Sequence, residues 1–165
     1  MKQQHARLIQ AMVEYDGGDV PRIQHFMKVH DFAATIASLE GVDEATTFVL
    51  ETAAILHDIG IHVAEQKYGD CNGKHQEAEG PAEARKLLAQ VGGYTDEQVE
   101  RVCFLIAHHH TYKDVEGIDW QILLEADFLV NAYEDHIAPE GIRTFERKVF
   151  KTPTGRHLLE AMVGM

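Results

Sequence analysis

Apolar residues recur three and four positions apart along nearly the whole chain, the period of one buried face of an α-helix. A first helix is expected over roughly residues 2–15, ending at Asp16-Gly17-Gly18. Asp19 has the character of an N-cap and Pro21 suits a first turn, so a second helix should run from there to about Glu40 and close at Gly41. Asp43 caps a third, which carries Phe48, Val49, Ala53, Ile55 and Leu56 and stops near Gly60. Residues 64–78, with Gly69 and Gly73 set among charged and amide side chains, are expected to form a long polar loop, a kind of segment that is often functional. A fourth helix should begin around Gly80-Pro81 and reach Gln90, with Gly92-Gly93 as its stop. Thr95 and Gln98 resemble a capping box for a fifth helix, which leads to the triple histidine at 108–110. Helices over about 118–134, 139–149 and 154–163 complete the chain, and no stretch sustains the period of two that marks a strand. The expected fold class is therefore all-α, a helical bundle.

Length fits this picture, because 165 residues suit one domain with a core of its own. The organisation expected is a single domain over 1–165, with the chemistry in a core of about 20–135 and further helices at 139–163. No apolar run approaches the ~18 residues of a membrane span, and MKQQHARLIQ lacks the apolar stretch of a secretory signal. Two cysteines, Cys71 and Cys103, form no disulfide framework. A cytoplasmic location is the expectation that remains. The formal charge of −12 repels nucleic-acid backbones and anionic membranes, which argues against both as partners. A small anionic substrate stays open, since a bound cation reverses the potential locally. Eleven histidines in such a chain turn attention to metal chemistry.

His57-Asp58 stands in AAILHDIG, at the end of an apolar helix and before a glycine. Adjacent helical residues point ~100° apart, so the pair can grip one ion only at a helix end or facing a cleft. Alone the dipeptide says little, for His30-Asp31 repeats it without that setting. Two further residues add weight. His25 lies one turn into a long helix, in PRIQHFMKVHDFAATIA, and Asp127 lies in ILLEADFLVNAY between apolar neighbours. A carboxylate buried there needs a partner, either a metal or a histidine. The competing reading puts Asp127 on a polar helix face that Glu125 and Asn131 would share. Two imidazoles and two carboxylates suit Mn, Fe, Co, Ni or Mg rather than a closed thiolate zinc site. A six-coordinate ion with four such ligands keeps two places for a water and a phosphate oxygen.

In this order, His25, His57-Asp58 and Asp127 resemble the H…HD…D signature of HD-domain metal-dependent phosphohydrolases. The resemblance spans roughly residues 20–135, and LHDIG is its most specific string. It implies an all-helical core with the four ligands on separate helices around one ion. It further implies hydrolysis of a phosphomonoester, phosphodiester or nucleotide. Some members carry a second metal, and the resemblance makes His109 and His110 the candidates for it or for phosphate contact. No clear further histidine pair is evident, which leaves a second metal open. The missing GYP-type string weighs against a cyclic-dinucleotide phosphodiesterase.

The remaining candidates are weaker by residue type and position. Glu77 and Glu79 could contact a metal-bound water, with Glu77 as general base, or simply favour a helix start by charge. Lys28, three residues after His25, lies on a neighbouring face and could reach the rim of the site, with Lys74 and His62 as further substrate contacts. His75 is a lesser ligand candidate, and at least one of His108–His110 should serve the helix end. His5, His30, His136 and His157 read as structural or exposed. The expected activity is that of a phosphohydrolase acting on a small phosphorylated substrate or nucleotide. Two alternatives stand beside it: a non-catalytic nucleotide-binding module and a two-iron oxygenase. A homodimer through the C-terminal helices is an open option.

Overall fold

The computed structural model describes residues 1–165 as nine helices and no strand. They are α1 (Gln3–Tyr15), α2 (Val20–Leu39), α3 (Glu44–Leu56), α4 (Ile61–Tyr68), α5 (Gly73–Val91), α6 (Asp96–Ala107), α7 (Ile118–Glu134), α8 (Pro139–Val149) and α9 (Pro153–Val163). The caps explain most starts: Asp19 accepts from the Arg22 amide, Asp43 from Thr46, and Thr95 and Gln98 close a reciprocal capping box. Helix α3 is buried almost all round and packs against α1, α2, α6 and α7, so it forms the axis of the bundle. Helix α7 lies against α2 and α3 with most of its length buried. No single helix is long and apolar enough to cross a membrane.

The segment 64–78 departs from expectation. Instead of a long loop it holds α4 and the first turns of α5, joined by residues 69–72 alone. Asn72 caps α5 by accepting from the His75 amide, and Gly69 ends α4 with a φ of 76° that suits glycine. Gly80-Pro81 is not a helix start but lies inside α5. The reason is close packing. A Cβ on Gly80 would fall 2.6 Å from the Ile106 side chain, and one on Gly60 would fall 2.6 Å from the Gly80 nitrogen. Two glycines thus let α5 press onto the turn that follows His57-Asp58, and the first turns of α5 arrive beside that turn.

Glu125 is the other departure. It does not mark a polar face of α7; it is fully buried. Its Oε1 accepts from the Lys151 and Thr152 amides at 2.7 and 3.0 Å, and its Oε2 accepts from the Thr152 hydroxyl at 2.5 Å. The same Thr152 hydroxyl accepts from the Gly155 amide and starts α9, so one carboxylate anchors the C-terminal helix to the core. Glu125→Ala strands these donors and should cost about 3 kcal/mol. In a chain of this size that lowers Tm by about 6–12 °C, readable by thermal circular dichroism. Glu125→Gln, which keeps one acceptor, should lose less.

Candidate metal centre

Three helices deliver four acceptor atoms to one point. His25 comes from the second turn of α2, His57 is the C-cap of α3 with Asp58 next to it, and Asp127 comes from the middle of α7. His25 Nε2 lies 3.0 Å from His57 Nε2, 3.2 Å from Asp58 Oδ2 and 3.2 Å from Asp127 Oδ1. His57 Nε2 lies 3.4 Å from Asp127 Oδ1 and 3.6 Å from Asp58 Oδ2. All four side chains are buried. Asp127 is therefore not on a polar helix face.

The imidazoles are oriented from behind. His57 Nδ1 donates to the Ala54 carbonyl at 2.7 Å, and His25 Nδ1 donates to Glu134 Oε1 at 2.6 Å. Both rings thus turn an Nε2 lone pair inward, the arrangement in which a carboxylate or carbonyl fixes the tautomer of a metal-binding histidine. Burial opposes a proton on His25, yet Asp127 and Asp58 outweigh it and push the ring up to about 11. Burial alone would raise the Asp58 carboxyl, but His57, His109 and His25 hold it well below the usual carboxylate range. The centre therefore pulls strongly on positive charge.

The donor set fits a divalent ion. Two imidazole Nε2 atoms and two carboxylates face each other in a buried space, where an ion would take the place of the His25 proton, and Asp127 Oδ1 has no hydrogen-bond partner there. Ligands ~2.1 Å from an ion and at right angles to each other stand ~3.0 Å apart, close to the separations found. His25, His57, Asp58 and Asp127 are the residues that would hold the ion.

Asp58 also faces a second group. Its Oδ1 lies 3.1 Å from His109 Nε2, and Asp58, His109 and His110 bring ligand atoms within 4.8 Å of one another. His109 Nδ1 donates to the Ile106 carbonyl, which leaves its Nε2 facing Asp58. Gln76 donates to the Cys71 carbonyl, so its Oε1 is free to accept from His110 Nε2 at 2.8 Å. Burial, aided by His109, pushes His110 down to about 4 and keeps it neutral. His108 turns away, with Nδ1 on the Phe104 carbonyl and its ring stacked on Phe104.

A model of the HD domain matches residues 22–145. The chain belongs to the HD domain family. A crystal structure at 1.45 Å, described as a predicted HD superfamily hydrolase from an uncultured Thermotogales bacterium, is similar at 29% identity with a TM-score of 0.68; the match covers 96% of this chain and 84% of that one. No curated protein matches the chain.

The other candidates of this HD domain are placed as follows. Glu77 Oε2 accepts from the His110 amide at 3.1 Å and the Thr111 hydroxyl at 2.8 Å, so it holds the loop after α6. Lys28 pairs with Glu134 Oε2 at 3.1 Å, behind His25. His62 faces Asp19 at 3.1 Å and Asp16 at 3.4 Å. Lys74 is exposed and lines a cavity of about 580 Å³ with Glu77, His110, Tyr112 and Lys113. His75 pairs with Asp70 and stacks on Tyr68, and Glu79 is taken by Lys67 and Tyr68.

Three contributors escaped the sequence reading. Arg22, whose Nη1 donates to Asp58 Oδ2 at 3.2 Å, and Glu134 stand three residues before His25 and seven after Asp127, spacings that share a helix face. Gln76 carried no signal, because its segment read as a loop. Protein purified without chelator should hold a divalent ion at this centre by elemental analysis, and His57→Ala and Asp127→Ala should each hold one ion fewer per chain than wild type. Glu134→Gln should keep the fold and bind that ion about 10–100-fold more weakly in a competition titration.

Proposed function

We propose that this HD domain is a metal-dependent phosphohydrolase acting on a small phosphate ester or nucleotide. The observation that carries the reading is the convergence of His25, His57, Asp58 and Asp127, with His110, grouped with Asp58, lining a cavity that also carries two lysines. When bound, a divalent ion at such a site supplies Lewis-acid polarisation and a water of lowered pKa. Mn, Fe, Co, Ni and Mg all suit the two-nitrogen, two-carboxylate set. Asp58, whose two oxygens face different groups, leaves room for a second ion between itself, His109 and His110.

The chain's own residues divide the remaining work. Lys74 and Lys113 give the mouth of the cavity positive charge in a strongly acidic protein, and a phosphate would be drawn to them. His110 lines the same cavity as a neutral ring whose Nε2 donates to Gln76 Oε1. Glu77 holds the His110 amide and the Thr111 hydroxyl and acts as a positioning residue rather than as a base. Carboxylates engage Lys28 and His62, which weighs against both as phosphate contacts. A volume of about 580 Å³ accommodates a molecule of nucleotide size, whereas long nucleic acid would meet the overall charge.

The test is a panel of chromogenic phosphomonoesters, phosphodiesters and nucleotides offered to metal-loaded protein. Release of phosphate is expected, with His57→Ala and Asp58→Ala lowering kcat/KM by about 10³-fold or more, the loss of several kcal/mol of transition-state stabilisation. Lys74→Ala and Lys113→Ala should each raise KM by about fivefold, about 1 kcal/mol, with kcat largely kept. Saturable nucleotide binding without turnover would favour a sensor, and oxygen uptake with two irons per chain would favour an oxygenase.

A further inference from the structure

A second group of ligand atoms stands on other faces of α2 and α3 from those that carry the centre above. His30 is five residues beyond His25, about 7.5 Å along α2 and roughly 140° around it. Glu51 stands six residues before His57 on α3, and His5 comes from α1. His5 and His30 are 1% and 4% exposed. His30 Nε2 lies 3.0 Å from Glu51 Oε1, and His5 Nδ1 lies 3.9 Å from the same oxygen. One ligand atom from each of the three residues falls within 4.8 Å of the others.

The protons can be placed. The Thr52 hydroxyl donates to the Phe48 carbonyl at 2.8 Å, so its oxygen accepts from His5 Nε2 at 3.0 Å. That nitrogen is 3.3 Å from the Phe48 carbonyl as well, a second acceptor. The His5 proton therefore sits on Nε2, and Nδ1 turns a lone pair towards the Glu51 carboxylate. A hydrogen bond from His30 to Glu51 satisfies that pair, but it leaves the His5 lone pair facing an anion inside the protein. A cation resolves the conflict for all three groups at once.

We propose that His5, His30 and Glu51 bind a borderline divalent cation, zinc above all, at a site separate from the His25 centre. Two imidazoles and one carboxylate are a common zinc set, with a fourth place left for water. Tetrahedral ligands ~2.0–2.1 Å from zinc stand ~3.3–3.4 Å apart, so the 3.0 and 3.9 Å separations need adjustments of about half an ångström. The backing of His5 by Thr52 and the Phe48 carbonyl is the outer support such a ligand uses. Because the ligands come from α1, α2 and α3, the ion ties the first helix to the axis of the bundle.

The experiment is a crystal of the wild-type protein grown with zinc and measured on both sides of the zinc absorption edge. An anomalous peak between His5 Nδ1, His30 Nε2 and Glu51 is expected, whatever occupies the His25 centre. No peak there at saturating zinc overturns the proposal. In solution, Glu51→Gln and His5→Gln should each bind one zinc equivalent fewer than wild type while keeping the ion at the His25 centre. Folded variants, judged by circular dichroism, that take up as much zinc as wild type also overturn it.

Discussion

The structure is organised around two carboxylates, Asp58 and Asp127, held away from water at one junction of α2, α3 and α7. Isolated, each would be too costly to bury charged. Two imidazole lone pairs pointing at them do not relieve the repulsion; only positive charge does. A proton on His25 is one way to supply it, and the pull that would keep that proton is the pull a divalent cation would feel. The apolar bulk of the bundle can afford this concentration of polar atoms because it is large and continuous around α3 and α7.

Rigidity comes from helix ends more than from loops. His57 closes α3 and His109 follows the end of α6, and each ring is fixed by a carbonyl three residues back, Ala54 and Ile106. Those carbonyls lie in the last turns of their helices, where some acceptors lack partners within the helix. The histidines satisfy them and gain a set tautomer in return. Glu134 does the same for His25 from the last residue of α7. Lys28 in turn holds Glu134, so the ion-facing side of His25 is set through two further residues that never face the centre.

Much of this was legible in the residues. Periodicity and caps located most helices, and the four converging side chains stood in strings whose helical setting was readable. What failed has physical causes. Gly80-Pro81 has the composition of a helix start, but here glycine serves contact between two backbones, and composition does not distinguish these uses. That error turned α4 and the start of α5 into a loop and hid Gln76, Asn72 and the true setting of Glu77. Glu125 failed differently: its partners are backbone amides 26 and 27 residues away, and no local pattern reports such a pair. Arg22 and Glu134 were within reach, since both share a helix face with a residue already singled out.

The two sides of the centre also differ in what they can admit. On the α1 side, a cavity of about 690 Å³ is lined by Asp16, Asp19, Glu83 and His62, with one buried oxygen of Asp16 unpartnered. Burial, more than any neighbouring charge, pushes that carboxyl up to about 6. Such a lining repels a phosphate. On the other side, Lys74 and Lys113 flank His110 with Glu77 alone as a carboxylate, and the His110 amide and Thr111 hydroxyl already engage it. Arg22 donates to Asp58 and its charge also acts on Asp16, so carboxylates line one of these cavities and lysines the other. For the phosphorylated substrate proposed above, that difference in charge favours approach from the α5–α6 side.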